Sequence, residues 1–268
     1  MSRALREDVG SGDVTAQLIG ADTMARARVL CREAAVLCGA LWFEETFRQL
    51  DPKVRVQWRL PEGARVPANT ELCELQGPAR AILTGERTAL NFLQLLSATA
   101  TATARYVQAV AGTDCRILDT RKTLPGLRTA QKYAVRCGGG QNHRMGLYDR
   151  VLVKENHIAA AGSIAAAVAA ARALSPKLMV EVETESVDEV VSALAARCEI
   201  ILLDDFTLED MRRAVALNRA AAHPAQLEAS GGVNLERVAA IAATGVDFVS
   251  VGGLTKHVQA VDISLRLL

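Results

Sequence analysis

Hydrophobic and polar positions follow two different rhythms along the chain. Up to about residue 110, short or alternating apolar runs (Ala25 to Leu30, Ala35 to Cys38, Val54 to Trp58, Glu71 to Leu75) sit between turn signals such as Asp51-Pro52, Pro61-Glu62-Gly63 and Gly77-Pro78. Runs bounded in this way predict strands of an antiparallel sheet. Two helices are expected among them, Leu41 to Leu50 and about Glu86 to Val110. In the second, Leu90, Leu93, Leu96, Ala100, Ala104 and Val107 recur at helical spacing. From about residue 115 the pattern becomes strand, short loop, helix. Strands are expected near Arg116–Leu118, Arg150–Val153, Leu178–Val182, Ile200–Leu203, Gln226–Glu228 and Phe248–Val251. Helices are expected near Arg128–Arg136, Ile164–Leu174, Val187–Ala196, Leu208–Arg219 and Leu235–Ala243. Strict alternation requires parallel strands joined by right-handed crossovers, hence a barrel or a doubly wound sheet. No G-x-G-x-x-G follows the first of these strands, which favours the barrel.

Two domains follow: an N-terminal α+β piece over residues 1–110, which residues 262–268 are placed to complete, and an α/β barrel over 111–261. Composition narrows the partners. Half of the 268 residues are hydrophobic and 23% are charged, as in a globular protein. With 31 basic against 30 acidic residues and only 4% aromatics, there is neither the charge excess nor the stacking surface that nucleic acid demands. The six cysteines form no C-x-x-C pair and read as reduced thiols. Met1 to Asp8 has no signal-peptide core, and the longest apolar stretch, Ile164 to Ala173, is too short to span a bilayer. A cytoplasmic protein without membrane contact is expected.

In a barrel, chemistry gathers at the C-terminal ends of the strands. The six ends here are Asp119-Thr120-Arg121-Lys122, Lys154-Glu155-Asn156-His157, Glu181-Val182-Glu183, Asp204-Asp205, Ser230-Gly231-Gly232 and Gly252-Gly253. Bare backbone N–H groups after the last two strands suit a phosphate. Glu183 and Asp204 suit a hard cation or sugar hydroxyls, and Asp205 is expected to point the other way. Arg121, Lys122, His143, Arg144 and Lys154 form a basic cluster in a chain of net charge +1, and planar guanidinium groups match a small ligand with several negative charges.

Longer motifs carry a resemblance. Asp119-Thr-Arg-Lys-Thr-Leu-Pro-Gly-Leu-Arg128, Lys132-Tyr-Ala-Val-Arg-Cys-Gly-Gly-Gly-Gln-Asn-His-Arg144 and Leu152-Val-Lys-Glu-Asn-His157 resemble the quinolinate phosphoribosyltransferases. Glu7 to Thr15, Gly85 to Phe92, Val180 to Glu183, Leu203 to Phe206, Glu228 to Gly232 and Ser250 to Gly253 are similar to the same family in the same order, so the match covers nearly the whole chain. The resemblance implies a type II phosphoribosyltransferase: an N-terminal open α/β sandwich, then an incomplete (β/α) barrel, in a homodimer. It implies transfer of the phosphoribosyl group of phosphoribosyl pyrophosphate to quinolinate with decarboxylation, giving nicotinate mononucleotide, pyrophosphate and CO2. On matching positions, Arg121, His143, Arg144 and Lys154 would hold quinolinate, with Arg87 reaching it from the partner subunit. Lys122 would touch the pyrophosphate side and the reacting centre. Glu183 and Asp204 would hold ribose hydroxyls and Mg2+, and Thr120, Ser230, Gly231, Gly232, Gly252 and Gly253 would bind the phosphoribosyl donor.

Two departures stand out. The chain starts close to Glu7, where relatives usually carry a further helix, and Lys256 stands where histidine is common. Two rival readings are a ModD-like phosphoribosyltransferase homologue with another acceptor and a barrel lyase using Lys154 as a Schiff-base nucleophile. The basic set including Arg87 favours a dicarboxylate over the first, and an anion beside Lys154 opposes the second.

Overall fold

The computed structural model describes all 268 residues. In chain order the elements are α1 (Ser2–Val9), β1 (Met24–Cys31), β2 (Ala35–Val36), α2 (Ala40–Leu50), β3 (Arg55–Trp58), β4 (Arg65–Val66), β5 (Thr70–Pro78) and α3 (Ala79–Ala109). There follow β6 (Arg116–Leu118), α4 (Arg128–Cys137), β7 (Val151–Val153), α5 (Glu155–Ala161), α6 (Ile164–Leu174), β8 (Val180–Thr184) and α7 (Val187–Ala195). The chain ends with β9 (Ile200–Asp204), α8 (Leu208–Ala220), β10 (Gln226–Ser230), α9 (Val238–Ala242), β11 (Phe248–Ser250), α10 (Gly253–Lys256) and β12 (Ile263–Leu267). Two compact units emerge: Met1–Ala104 with Tyr133–Gly139 and His257–Leu268, and Arg105–Lys132 with Gly140–Lys256.

The first unit is built on a four-stranded antiparallel sheet in the order β12-β1-β5-β3. Along β1 the period-2 rule is plain: Ala27, Val29 and Cys31 are buried while Arg26 and Arg28 are not. Ile263 and Leu265 of β12 bury their side chains on the same core. Phe43 and Phe47 of α2 pack edge-on with ring centroids 5.1 Å apart, over Leu72, Leu75, Leu90 and Leu93.

The second unit carries six parallel strands in the order β6-β11-β10-β9-β8-β7. Strands consecutive in the chain are neighbours from β7 to β11, and the first strand, β6, pairs with the last. That is the cyclic order of a barrel left open between β6 and β7. The free edge of β6 is taken by Gln141, whose N–H donates to Ile117 O at 2.8 Å while Asp119 N–H donates to Gln141 O at 3.1 Å. Ser163, Ser186 and Thr207 cap α6, α7 and α8, each hydroxyl accepting a backbone N–H three residues on.

Several strands run further than their apolar runs suggest. β8 covers 180–184 rather than 178–182, β9 ends at Asp204 and β10 at Ser230. Glu183, Thr184, Asp204 and Ser230 are still paired in the sheet, so polarity alone did not end these strands. α1, β4, α5, α10 and β12 have no counterpart among the elements expected from the pattern, while α3 begins seven residues earlier, at Ala79.

Candidate active site

At the C-terminal ends of the barrel strands lies a cavity of about 270 Å³. Thr120, Arg121, Lys122, His143, Arg144 and Lys154 line it together with Glu183, Asp204, Ser230, Glu228 and Ser250. Nine of the residues singled out from the sequence thus face one space. Asp205 does not, being exposed in the left-handed region at φ 54°. Gly231 and Gly232 directly follow β10, and Gly252 and Gly253 come after β11 and Val251, all four without lining the cavity. Gly231 has φ 88°, and a Cβ there would lie 2.7 Å from the backbone nitrogen of Asp205, so glycine is required. Arg87 is exposed on α3 in the other unit.

The loop from 142 to 144 is held by a buried network. Asp119 and Lys132 form an ion pair at 0% and 1% side-chain exposure. Asp119 also accepts His143 N–H at 2.9 Å and the Asn142 amide at 2.5 Å, and Lys132 donates to His143 O at 3.0 Å. Burial works against both charges, raising the Asp119 carboxyl and lowering the Lys132 ammonium from their usual ranges despite the pair. Arg128 ties down the facing loop through Thr123 Oγ1, Met145 O and Arg121 O.

His143 Nδ1 accepts the Arg144 N–H at 2.7 Å, which leaves the ring proton on Nε2, 3.0 Å from Glu181 Oε2. Glu181 is fully buried and also takes Arg150 at 3.2 Å. Burial pushes its carboxyl up, but His143 and Arg150 outweigh that and hold it below the usual range. Glu228, equally buried, has neither oxygen hydrogen-bonded; burial and the Glu181 charge push its carboxyl well above the usual range.

At the mouth the balance is reversed. Arg121 Nε is buried with no partner, and neither Lys122 Nζ nor the Arg144 guanidinium meets an anion within ion-pair distance. Burial and then the Arg121 charge lower Arg144 from its usual range. Lys154 is paired with Glu183, which opposes its use as a neutral Schiff-base nucleophile. Its N–H donates to His157 Nδ1 at 3.0 Å, so His157 serves the start of α5. Glu183 is raised by burial, with the charge of Asp204 adding to the shift.

Sequence reasoning missed Glu181, Glu228, Arg150 and Ser250 as parts of this cluster. Glu181 and Glu183 are two apart on β8, and so are Glu228 and Ser230 on β10, which puts each pair on one strand face. A charge inside an apolar strand run was the available signal.

A parallel barrel open at one seam, with unpaired cations beside two carboxylates at its mouth, defines an α/β barrel enzyme for small polyanions. The family models agree in detail: quinolinate phosphoribosyl transferase, N-terminal domain, matches residues 13–97, and its C-terminal domain matches 99–266. The chain belongs to the quinolinate phosphoribosyltransferase family. It is 45% identical over 271 residues to a nicotinate-nucleotide pyrophosphorylase (carboxylating) of Mycobacterium leprae, covering 99% of this chain and 95% of the relative. It is 38% identical to the human protein of that name, over 98% and 89% of the two chains. The solved nicotinate-nucleotide pyrophosphorylase of Francisella tularensis superposes with a TM-score of 0.96 at 47% identity, covering 100% of this chain and 94% of that one.

Proposed function

We propose that this enzyme transfers the phosphoribosyl group of phosphoribosyl pyrophosphate to quinolinate with loss of CO2, yielding nicotinate mononucleotide and pyrophosphate for NAD biosynthesis. The observation that carries this reading is the set of unpaired cations, Arg121, Lys122 and Arg144, in the same cavity as Glu183 and Asp204. Two carboxylates on adjacent ring positions match two guanidinium groups, each able to bind bidentately. Lys154 completes the acceptor site once an incoming carboxylate competes with Glu183 for it. His143 forms the wall, its two nitrogens already engaged by Arg144 N–H and Glu181.

Glu183 and Asp204 fit Mg2+: two carboxylates face one cavity, the charge of Asp204 disfavours ionised Glu183, and Asp204 has no hydrogen-bond or ion-pair partner of its own. The ion, when bound, supplies charge neutralisation for the departing pyrophosphate. The two carboxylates bind the ribose hydroxyls and stabilise the positive charge that grows at the anomeric carbon. Lys122 steadies the leaving pyrophosphate. Thr120, Ser230 and the backbone N–H groups of Gly231, Gly232, Gly252 and Gly253 take the donor's phosphates. Once the ring is ribosylated, the positive charge on the pyridinium nitrogen stabilises the in-plane electron pair that departing CO2 leaves on the neighbouring carbon, and a proton from solvent takes the place of CO2 there. Arg87, exposed and away from the lining, fits a role across a homodimer interface, reaching the acceptor bound by the partner. Six free cysteines fit a reducing cytoplasm. No single helix is long and apolar enough to cross a membrane.

The test is product analysis by mass after incubation with phosphoribosyl pyrophosphate and Mg2+, with quinolinate, nicotinate or no acceptor. Nicotinate mononucleotide and CO2 are expected with quinolinate alone. A folded protein that gives no product with quinolinate overturns the acceptor assignment.

A further inference from the structure

Away from the cation-lined cavity, the first unit gathers two thiols and a carboxylate. Cys38 Sγ, Cys137 Sγ and a carboxylate oxygen of Glu62 all lie within 4.8 Å of one another. They come from three segments: the stretch between β2 and α2, the turn before β4, and the last residue of α4. None of the three belongs to the proposed reaction.

The backbone around them is fixed from every side. Gly63 N–H donates to Leu37 O at 2.8 Å and Leu37 N–H to Ala64 O at 2.9 Å, which locks the Cys38 segment to the Glu62 turn. Ser97 Oγ accepts Cys38 N–H and donates to Cys38 O, both at 3.0 Å. The Glu62 oxygens accept Gly39 N–H at 2.7 Å and Ala40 N–H at 3.1 Å, and each keeps a lone pair free. At Gly138, next to Cys137, a Cβ would lie 2.4 Å from Ala100 O; only glycine lets the end of α4 come this close. Cys38 is buried while Glu62 and Cys137 are half-buried.

We propose that Cys38, Cys137 and Glu62 form a binding site for a thiophilic divalent cation of the zinc class. Three groups that are anionic when ionised repel one another, and a cation at their meeting point removes that repulsion. Two sulfur donors exclude a hard ion such as Mg2+ or Ca2+, whereas two thiolates and one carboxylate with an open fourth position suit tetrahedral zinc. Binding balances as two thiols plus the dication giving the dithiolate complex and two protons released to solvent. The ion would hold the last residue of α4 to the entrance of α2, and the chain runs on from there into the segment that carries His143 and Arg144.

Cobalt(II), which absorbs where zinc is silent, is the probe. Reduced, chelator-washed protein is expected to take up one equivalent, with a thiolate-to-cobalt charge-transfer band and the visible bands of a tetrahedral site, both bleached by zinc. Excess Mg2+ should leave the spectrum unchanged, which separates this site from the carboxylates of the barrel. Saturating zinc should raise the melting temperature by about 5 °C. Cys137→Ser, a half-buried change that spares the core, should lose at least half of the charge-transfer intensity and weaken zinc binding at least about 10-fold. Glu62→Gln should weaken binding and leave the sulfur band in place. The proposal is overturned by wild-type protein without a charge-transfer band, or by a band undiminished in Cys137→Ser. Protein that takes up no metal and is lighter by two hydrogens through a Cys38–Cys137 disulfide also overturns it.

Discussion

Asp119 and Arg121 are two residues apart, and His143 and Arg144 are neighbours, yet the two members of each pair belong to opposite electrostatic regimes. Below the barrel mouth, Asp119, Lys132, Asn142 and the His143 backbone satisfy one another in full. At the mouth, Arg121, Lys122 and Arg144 stand together with no carboxylate to answer them, and the only acid–base pair is Lys154 with Glu183. Burying a charge is costly unless it is paired, so the lower network has to be complete to exist at all. The upper one is incomplete in a way that a polyanion completes. The same residue types therefore do two jobs: paired charges hold the loop's shape, and unpaired charges hold what enters it.

The comparison breaks first, and hardest, at Lys132. Lys132→Met removes the buried cation and strands Asp119, which should cost about 3–5 kcal/mol of unfolding free energy in a urea titration. If the cost is that of an orphaned charge, the double variant with Asp119→Asn recovers part of the loss. A single variant as stable as wild type would mean that the lower network does not hold the fold.

Arg144 should answer in the opposite way. Arg144→Gln removes one of several like charges crowded at the mouth, so the urea midpoint should stay level or rise, while the KM for quinolinate rises about 10- to 100-fold. A variant that loses stability and keeps its KM would move Arg144 into the structural set and erase the distinction between the two regions.

How much of this was legible in the sequence follows from the same contrast. The mouth could be read because its residues stand at strand ends, where the turn from apolar to polar is visible: Arg121, Lys154, Asp204 and Ser230 all sit there. The lower network could not, because nothing in the type or spacing of its members marks them as buried partners: Asp119 directly follows β6 in the same polar turn as Arg121, Asn142 and His143 lie in a loop, and α4 carries Arg128, Gln131 and Arg136 besides Lys132. Lys132 lies on the buried face of α4, where a long amphipathic side chain in the sequence looks like a surface lysine. Glu181 and Glu228 lie inside β8 and β10, where their burial depends on His143, Arg150 and each other, partners 30 or more residues away in the chain for the first two contacts. Short elements were lost for local reasons. α5 starts without a Ser, Thr, Asp or Asn cap: the residue before it is Lys154, whose backbone N–H is taken by the His157 ring. The paired polar residues of β8 and β9 moved strand ends outward by one or two positions.

Glu228 sharpens the comparison with a third regime, a buried acid that is neither paired by a cation nor left to bind a ligand. Burial and the charge of Glu181 hold its carboxyl well above the ordinary range, so the folded protein keeps it protonated at pH values where the unfolded chain has lost the proton. The native state then binds more protons than the unfolded state, and stability falls as pH rises from the ordinary carboxyl range towards the raised folded value. The limiting slope for one such group is about 1.4 kcal/mol per pH unit. Glu228→Gln keeps the shape and the neutrality and removes the proton linkage. Below about pH 4.5 the two proteins should melt together; as pH rises towards neutrality the variant should become progressively the more stable. Parallel melting curves at every pH would place an ionised Glu228 in the folded protein. The His143 Nε2–H, 3.5 Å from its Oε2, would then be the donor nearest to that charge.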